Sequence, residues 1–152
     1  MKTDLTVGSF IFHKEKVLLI LHKKLKMWLP VGGHIEKDET PDDAIRREAK
    51  EETNLDITLF NTPSLPLIGS TIIHLATPFY VNVHNVTDHN HVGFYYLSYV
   101  KEIDKLIINK DEVLDAAWFT QSEIIGSEKV SDEVKLLVNL AYQELENHQN
   151  SQ

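Results

Sequence analysis

The chain has 152 residues, no cysteine and a net charge of −8 from 15 basic and 23 acidic side chains. That length suits one domain with a sizeable core, and the missing cysteines exclude disulfides and thiolate metal sites. The acidic balance argues against a nucleic-acid polymer as partner, but not against a small anionic substrate whose charge a metal ion carries.

The N-terminus, MKTDLTVGSF, lacks an apolar signal core after Lys2, and no later run approaches membrane-spanning length. The expectation is a cytoplasmic protein with no membrane partner. Leu5 to Phe12 and Lys16 to Leu21 read as two strands joined by the short polar stretch His13-Lys14-Glu15. His22 to Met27 is a basic loop in which Lys23, Lys24 and Lys26 lie close together. Such a loop is either simply solvated or an electropositive rim for a polyphosphate. Trp28-Leu29-Pro30-Val31-Gly32-Gly33 follows, and its paired glycines let the backbone turn tightly or approach a ligand closely.

The stretch Gly33 to Leu55 holds eight acidic side chains. Its first part reads as a loop and its second as a helix. Thr40 suits the N-cap, Pro41 the first helical position, and Asp42 and Asp43 the positive end of the helix dipole. Ala44, Ile45 and Ala49 form a narrow apolar stripe for close packing on a sheet. Glu48, Glu51 and Glu52 fall at i, i+3 and i+4, so their carboxylates converge on a neighbouring face. Asn54 is a plausible left-handed C-cap. Three gathered carboxylates make a hard, all-oxygen site suited to Mg²⁺ or Mn²⁺. Glu39 is placed to add a further carboxylate, and Arg47 to pair with one of the acids and orient it.

Beyond the helix, Asp56–Phe60, Pro78–Val86, His91–Val100 and Ala116–Thr120 read as strands, and Thr62 to Ser70 as a turn-rich loop. Thr87-Asp88-His89-Asn90 is the hairpin loop between two of them. Phe94 and Tyr96 share one face of their strand, and Tyr95 and Tyr99 the other. Thr120 or Ser122 caps a short turn through Ile125. Ser131 caps a last helix with Val134, Leu137, Val138, Ala141 and Leu145 at 3–4 spacing. One domain is expected over residues 1–146, with 147–152 as a polar tail expected to fray. His84, His89 and His91 lie close in sequence. Without cysteine or a fixed helical spacing they read as a solvated hairpin rather than a zinc site, with His89 or His91 available to line a substrate cleft.

The stretch from Gly33 resembles the Nudix box, G-x5-E-x7-R-E-U-x-E-E-x-G-U, where U is aliphatic. Gly33 stands as the opening glycine, Glu39 as the lone glutamate, Arg47-Glu48 as the Arg-Glu pair, Glu51-Glu52 as the paired glutamates and Leu55 as the closing aliphatic residue. Ala49 is smaller than the usual aliphatic residue, and Asn54 replaces the second glycine, a mild exchange because Asn tolerates the left-handed conformation. Trp28 to Gly33 is similar to the approach many Nudix proteins make to the box.

The resemblance implies an α/β fold, an α/β/α sandwich with a mixed sheet between helices. It also implies metal-dependent hydrolysis of a nucleoside diphosphate linked to another group. On that reading Glu48 and Glu52 bind Mg²⁺ or Mn²⁺, and Glu51 is a ligand or the general base. Glu39 assists the metal shell or the helix start, a backbone carbonyl at Gly32 or Gly33 joins the metal shell, and Arg47 orients the carboxylates. Glu112, which precedes Trp118-Phe119, matches a loop acid that in the family binds metal or acts as base; a plain surface acid is the competing reading. Lys23, Lys24 or Lys26 would touch the terminal phosphates. Family members are often dimers, so a homodimer is an expectation that no stretch of the chain locates. Markers of NADH, ADP-ribose, dinucleoside polyphosphate and coenzyme A specificity are missing, which leaves a canonical or oxidised nucleoside triphosphate by elimination. The alternative is a non-catalytic Nudix-fold nucleotide-binding or regulatory module, though such proteins usually lose the carboxylates kept here.

Overall fold

The computed structural model describes residues 1–150. In chain order the elements are β1 (Thr3–His13), β2 (Lys16–His22), β3 (Trp28–Leu29), β4 (Val31–His34), α1 (Pro41–Thr53) and β5 (Thr58–Leu59). After these come β6 (Tyr80–Val86), β7 (His89–Tyr99), β8 (Val113–Phe119), α2 (Gln121–Ile125) and α3 (Asp132–Asn150).

β1 is the spine of the sheet. Its residues from Thr6 to Phe12 are all buried, the near-continuous pattern of a strand covered on both faces. It runs parallel to β7 from Thr3↔Asn90 to Phe12↔Tyr99. On its other edge it divides its partners: antiparallel to β4 from Thr6↔His34 to Ser9↔Val31, then antiparallel to β2 from Ile11↔Leu18 to His13↔Lys16. β2 goes on to pair with β3 and β8, and β7 with β5 and β6, so the sheet is mixed.

Alternation along these strands sorts the core into two layers. Val7, Ile11, Leu18, Ile20 and Val31 pack under Ala44, Ile45 and Ala49 of α1. Phe10, Phe12, Val17, Leu19 and Leu97 pack under Val134, Leu137, Val138, Ala141 and Leu145 of α3. Helices on both faces of a mixed sheet make the α/β/α sandwich. Phe94 and Tyr96 face the α1 layer and Tyr95 the α3 layer, as alternation requires. No helix among the described residues is long and apolar enough to cross a membrane.

The ends of several elements differ from the sequence reading. The hairpin before β7 needs only Thr87 and Asp88, because Thr87 takes a left-handed conformation (φ 63°); β7 therefore begins at His89, inside the expected loop. β8 begins at Val113 rather than Ala116, since β2 supplies partners out to His22↔Val113. β5 shrinks to two residues paired with the end of β7. The last helix continues through Asn150, past the Asn147 where fraying is expected, and 151–152 lie outside the described residues.

α1 is closed at both ends as its sequence dictates. The Thr40 hydroxyl accepts from Asp43 N–H at 3.1 Å, and Pro41 opens the first turn. Asn54 adopts φ 62°, gives its N–H to Lys50 O at 2.9 Å, and donates Nδ2 to Lys105 O at 3.0 Å. Asn54→Ala should therefore cost about 1–2 kcal/mol, read as a lower urea midpoint, from the left-handed strain on Cβ and the lost cap bond. Asn54→Gly should stay within about 0.5 kcal/mol of the parent, because relief of strain offsets the lost side-chain bond.

Candidate active site

Helix spacing sends Glu48, Glu51 and Glu52 off α1 toward β4, and the glycines of β4 make room for them. A Cβ on Gly33 would collide with the Glu48 carboxylate, and one on Gly32 with the Val7 carbonyl. Gly32 is needed for close strand pairing, and Gly33 for the carboxylate that stands over it. Glu52 is only 3% exposed, and its Oε1 accepts the Gly32 N–H at 3.0 Å.

Glu112 arrives from the far side of the sheet. The turn before β8 is pinned by Asn109 N–H to Glu52 O at 3.1 Å, Glu112 N–H to Asn109 O at 3.0 Å, and Lys23 N–H to Glu112 O at 3.0 Å. These bonds carry Glu112 across to α1. Glu48, Glu51 and Glu112 each present an oxygen such that all three lie within 4.8 Å of one another. The Glu112 carboxylate has no hydrogen-bond or ion-pair partner among the described residues, so it is open toward the cleft.

Arg47 organises the remaining acids. Its Nε and one terminal nitrogen grip both oxygens of Glu39 at 2.7 and 2.9 Å, a bidentate pair. That same nitrogen donates to His34 O at 2.9 Å, while the other reaches Glu48 at 2.9 Å and Glu51 at 3.3 Å. Glu39 also accepts the Glu36 N–H at 3.0 Å. Glu39, expected in the metal shell, thus spends its oxygens on Arg47 and on the loop backbone, and it does not line the cleft.

The electrostatics follow from burial. Desolvation pushes Glu48 up to about 7, with Arg47 opposing and Glu51 and Glu112 adding to the rise. Desolvation pushes Glu52 up to about 8; the Gly32 bond opposes it, and Glu48, Glu112 and Glu51 add to it. The Arg47 hydrogen bond holds Glu39 below its ordinary range, and its partners push Arg47 well above its own. Half-buried His22, at the end of β2, is kept toward its neutral form mainly by burial.

These groups surround an open cleft of about 730 Å³, with glutamates on one side and Lys23, Lys24 and Lys26 also on its lining. The carboxylate oxygens of Glu48, Glu51 and Glu112 gather around one point, and Glu48 and Glu52 are lifted in pKa by burial and by their acidic neighbours. Such a site fits a hard divalent cation, whose charge would compensate both effects. His22, His34, Glu36 and Asp111 line the cleft as well, and sequence reasoning did not single them out as site residues. His22 ends an apolar strand, a position that signalled only the strand's end. His89 and His91 are not among the lining residues.

Fold and box together define a Nudix-type domain, and comparison with known proteins agrees. The family model described as the NUDIX domain matches residues 2–138, and the chain belongs to that family. It is 27% identical over 127 residues to Nudix hydrolase 19, chloroplastic, of Arabidopsis thaliana, covering 81% of this chain and 26% of that protein. It is 30% identical over 112 residues to an uncharacterized Nudix hydrolase of Nostoc sp., covering 70% of this chain and 57% of that protein. The chain thus spans about a quarter and a little over half of these two relatives. A hydrolase of the NUDIX family from Clostridium perfringens superposes with a TM-score of 0.83 at 31% identity, covering 95% of this chain and 99% of that one. An Ap4A hydrolase from C. elegans, at 17% identity and a TM-score of 0.72 over 95% and 98% of the two chains, shares the fold.

The raised carboxyls have a measurable consequence. Between the ordinary glutamate value of 4.5 and the raised values, the folded chain holds protons that the unfolded chain has lost. Folding stability without divalent ions should therefore fall as pH rises from about 5 to about 8, by up to roughly 1.4 kcal/mol per pH unit for each such carboxyl. Thermal denaturation followed by circular dichroism should show this slope, and Glu52→Gln should flatten it. Added Mg²⁺ should raise the melting temperature more at high pH than at low pH.

Proposed function

We propose that this chain hydrolyses a pyrophosphate linkage in a small nucleoside diphosphate derivative, with Mg²⁺ or Mn²⁺ as cofactor. The observation that carries this reading is the convergence of Glu48, Glu51 and Glu112 in a cleft also lined by Lys23, Lys24 and Lys26. A pyrophosphate resists attack because its oxygens are already negative, so the site must supply positive charge and an activated water. The divalent ion, when bound, supplies the charge neutralisation and acidifies water.

Glu48 and Glu51 would hold that ion, with Glu52 behind them and Gly33 leaving the space they occupy. Arg47 holds Glu48 and Glu51 in place, which removes the need to reorganise them during reaction. Glu112, whose carboxylate has no hydrogen-bond or ion-pair partner among the described residues and lies within 4.8 Å of Glu48 and Glu51 oxygens, is placed to take the proton from the attacking water. The lysines attract and orient the phosphate chain. Attack on one phosphorus then gives two phosphate-ended products. Among substrates, a canonical or oxidised nucleoside triphosphate remains the preferred reading, on the missing markers of the other classes.

Hydrolysis of nucleoside triphosphates, ADP-ribose, NADH, dinucleoside polyphosphates and nucleotide sugars, followed by separation of the phosphate-ended products, tests this. One class should turn over with Mg²⁺ or Mn²⁺, and Glu52→Gln and Glu112→Gln should each lower kcat on the order of 10²–10³-fold. Turnover that needs no metal and survives both substitutions would overturn the mechanism. Lys24→Ala should raise KM several-fold with kcat little changed, and the effect should shrink as salt screens the cleft.

A further inference from the structure

On the sheet face opposite the carboxylates, β-strand register assembles a second cluster of metal-ligating side chains. Asp4 and His91 are direct partners across the parallel β1–β7 pair, and His34 on β4 is the partner of Thr6, two residues along from Asp4. His89 sits two residues before His91. By alternation these side chains share the face that carries Phe10 further along β1, whereas Gly33 and Glu48 belong to the other face.

The ligand atoms of Asp4, His34, His89 and His91 all lie within 4.8 Å of one another. His89 Nε2 stands 3.0 Å from His91 Nε2 and 3.5 Å from Asp4 Oδ2, and His34 Nε2 is 3.5 Å from the same carboxylate oxygen. Ligands at 2.0–2.1 Å around a tetrahedral zinc ion would be separated by about 3.3 Å. The observed spacings of 3.0, 3.5 and 3.5 Å are close to that separation.

A second observation concerns the proton on His89. Its Nδ1 lies 2.7 Å from Asp88 Oδ1, and a carboxylate only accepts, so Nδ1 is the donor. In the neutral ring this leaves Nε2 as an acceptor, turned toward Asp4 and toward His91 Nε2, which lies 3.0 Å away. A histidine with one nitrogen on a carboxylate and the other toward a shared point is the usual outer-shell arrangement of a metal ligand.

We propose that Asp4, His34, His89 and His91 form a second metal site, separate from the box, that binds a divalent transition-metal ion such as Zn²⁺. Three imidazoles and one carboxylate favour zinc over magnesium, which prefers all-oxygen sites and retains its waters. The site joins β1, β4 and the β6–β7 hairpin at one end of the central strands. It touches the catalytic side through one residue, His34, whose backbone carbonyl accepts from Arg47.

The test is equilibrium dialysis of the untagged full chain, stripped with chelator, against Zn²⁺ alone in excess Mg²⁺. One zinc should bind per chain. His91→Gln should weaken it at least about 100-fold, whereas a Glu48→Gln, Glu112→Gln double variant should retain it. Co²⁺ in place of zinc should give the intense visible absorption of a tetrahedral site in the parent and in the box variant, and not in His91→Gln. Should His91→Gln lose its circular dichroism, Asp4→Asn, partly exposed near the start of β1, serves instead. No bound zinc, or zinc lost from the box variant and kept by His91→Gln, would overturn the proposal.

Discussion

The guanidinium of Arg47 makes the acidic side of this molecule possible. Glu39, Glu48 and Glu51 would repel one another if left to themselves, and each takes at least one hydrogen bond from that single cation. The remaining bond, to His34 O, ties the end of β4 to the helix. One planar group thus fixes the loop after β4, the orientation of α1 and the direction of two cleft carboxylates. Lysine, a point charge without the fork, would hold one or two of these partners and release the others.

Gly32 and Gly33 contribute the complementary half of the arrangement by leaving space. Gly32 lets β4 lie close to β1, and with no Cβ on Gly33 the Glu48 carboxylate fits against the sheet; the burial of Glu48 and Glu52 there lifts their pKa values. A site of this kind costs stability, which the two apolar layers on either side of the sheet must offset. Asp42 shows the same economy in a smaller form. One of its buried oxygens accepts the Ala76 N–H at 3.0 Å, pinning the long loop after β5 to the start of α1, while the other has no hydrogen-bond partner among the described residues.

What could be read from the sequence was what is local. Helical spacing alone sets Glu48, Glu51 and Glu52 on one side of α1, and the caps at Thr40 and Asn54 are written in the residues themselves. The resemblance supplied Glu112, which no local rule reaches, because its place depends on a turn held by Glu52 and Lys23 backbone groups far away in the chain. Glu39 was read as assisting the metal shell or the helix start, and sequence spacing alone does not show that the Arg47 fork takes both of its oxygens. His89 and His91 could be seen as neighbours, but their meeting with Asp4 rests on a parallel register between residues 87 apart, and with His34 on the antiparallel pairing of β1 and β4. Periodicity carries no information about which strand lies alongside which. The start of β8 was missed for the same reason, since its first residues are held by β2 rather than by their own pattern.

The parallel pairing of β1 with β7 also bears on how the chain is made. β1 carries apolar side chains on both faces, yet the strand that shields its longer edge runs from His89 to Tyr99. On a ribosome that partner emerges several seconds after β1. Until then β2 and β4 cover only the other edge, and Thr3 to Phe12 presents unpaired backbone beside a greasy surface. Such contacts between distant segments form slowly and leave strand edges open to other chains. The nascent chain's exposure to aggregation is thus concentrated at its first strand, and how soon the β6–β7 hairpin closes against that strand decides how long the exposure lasts.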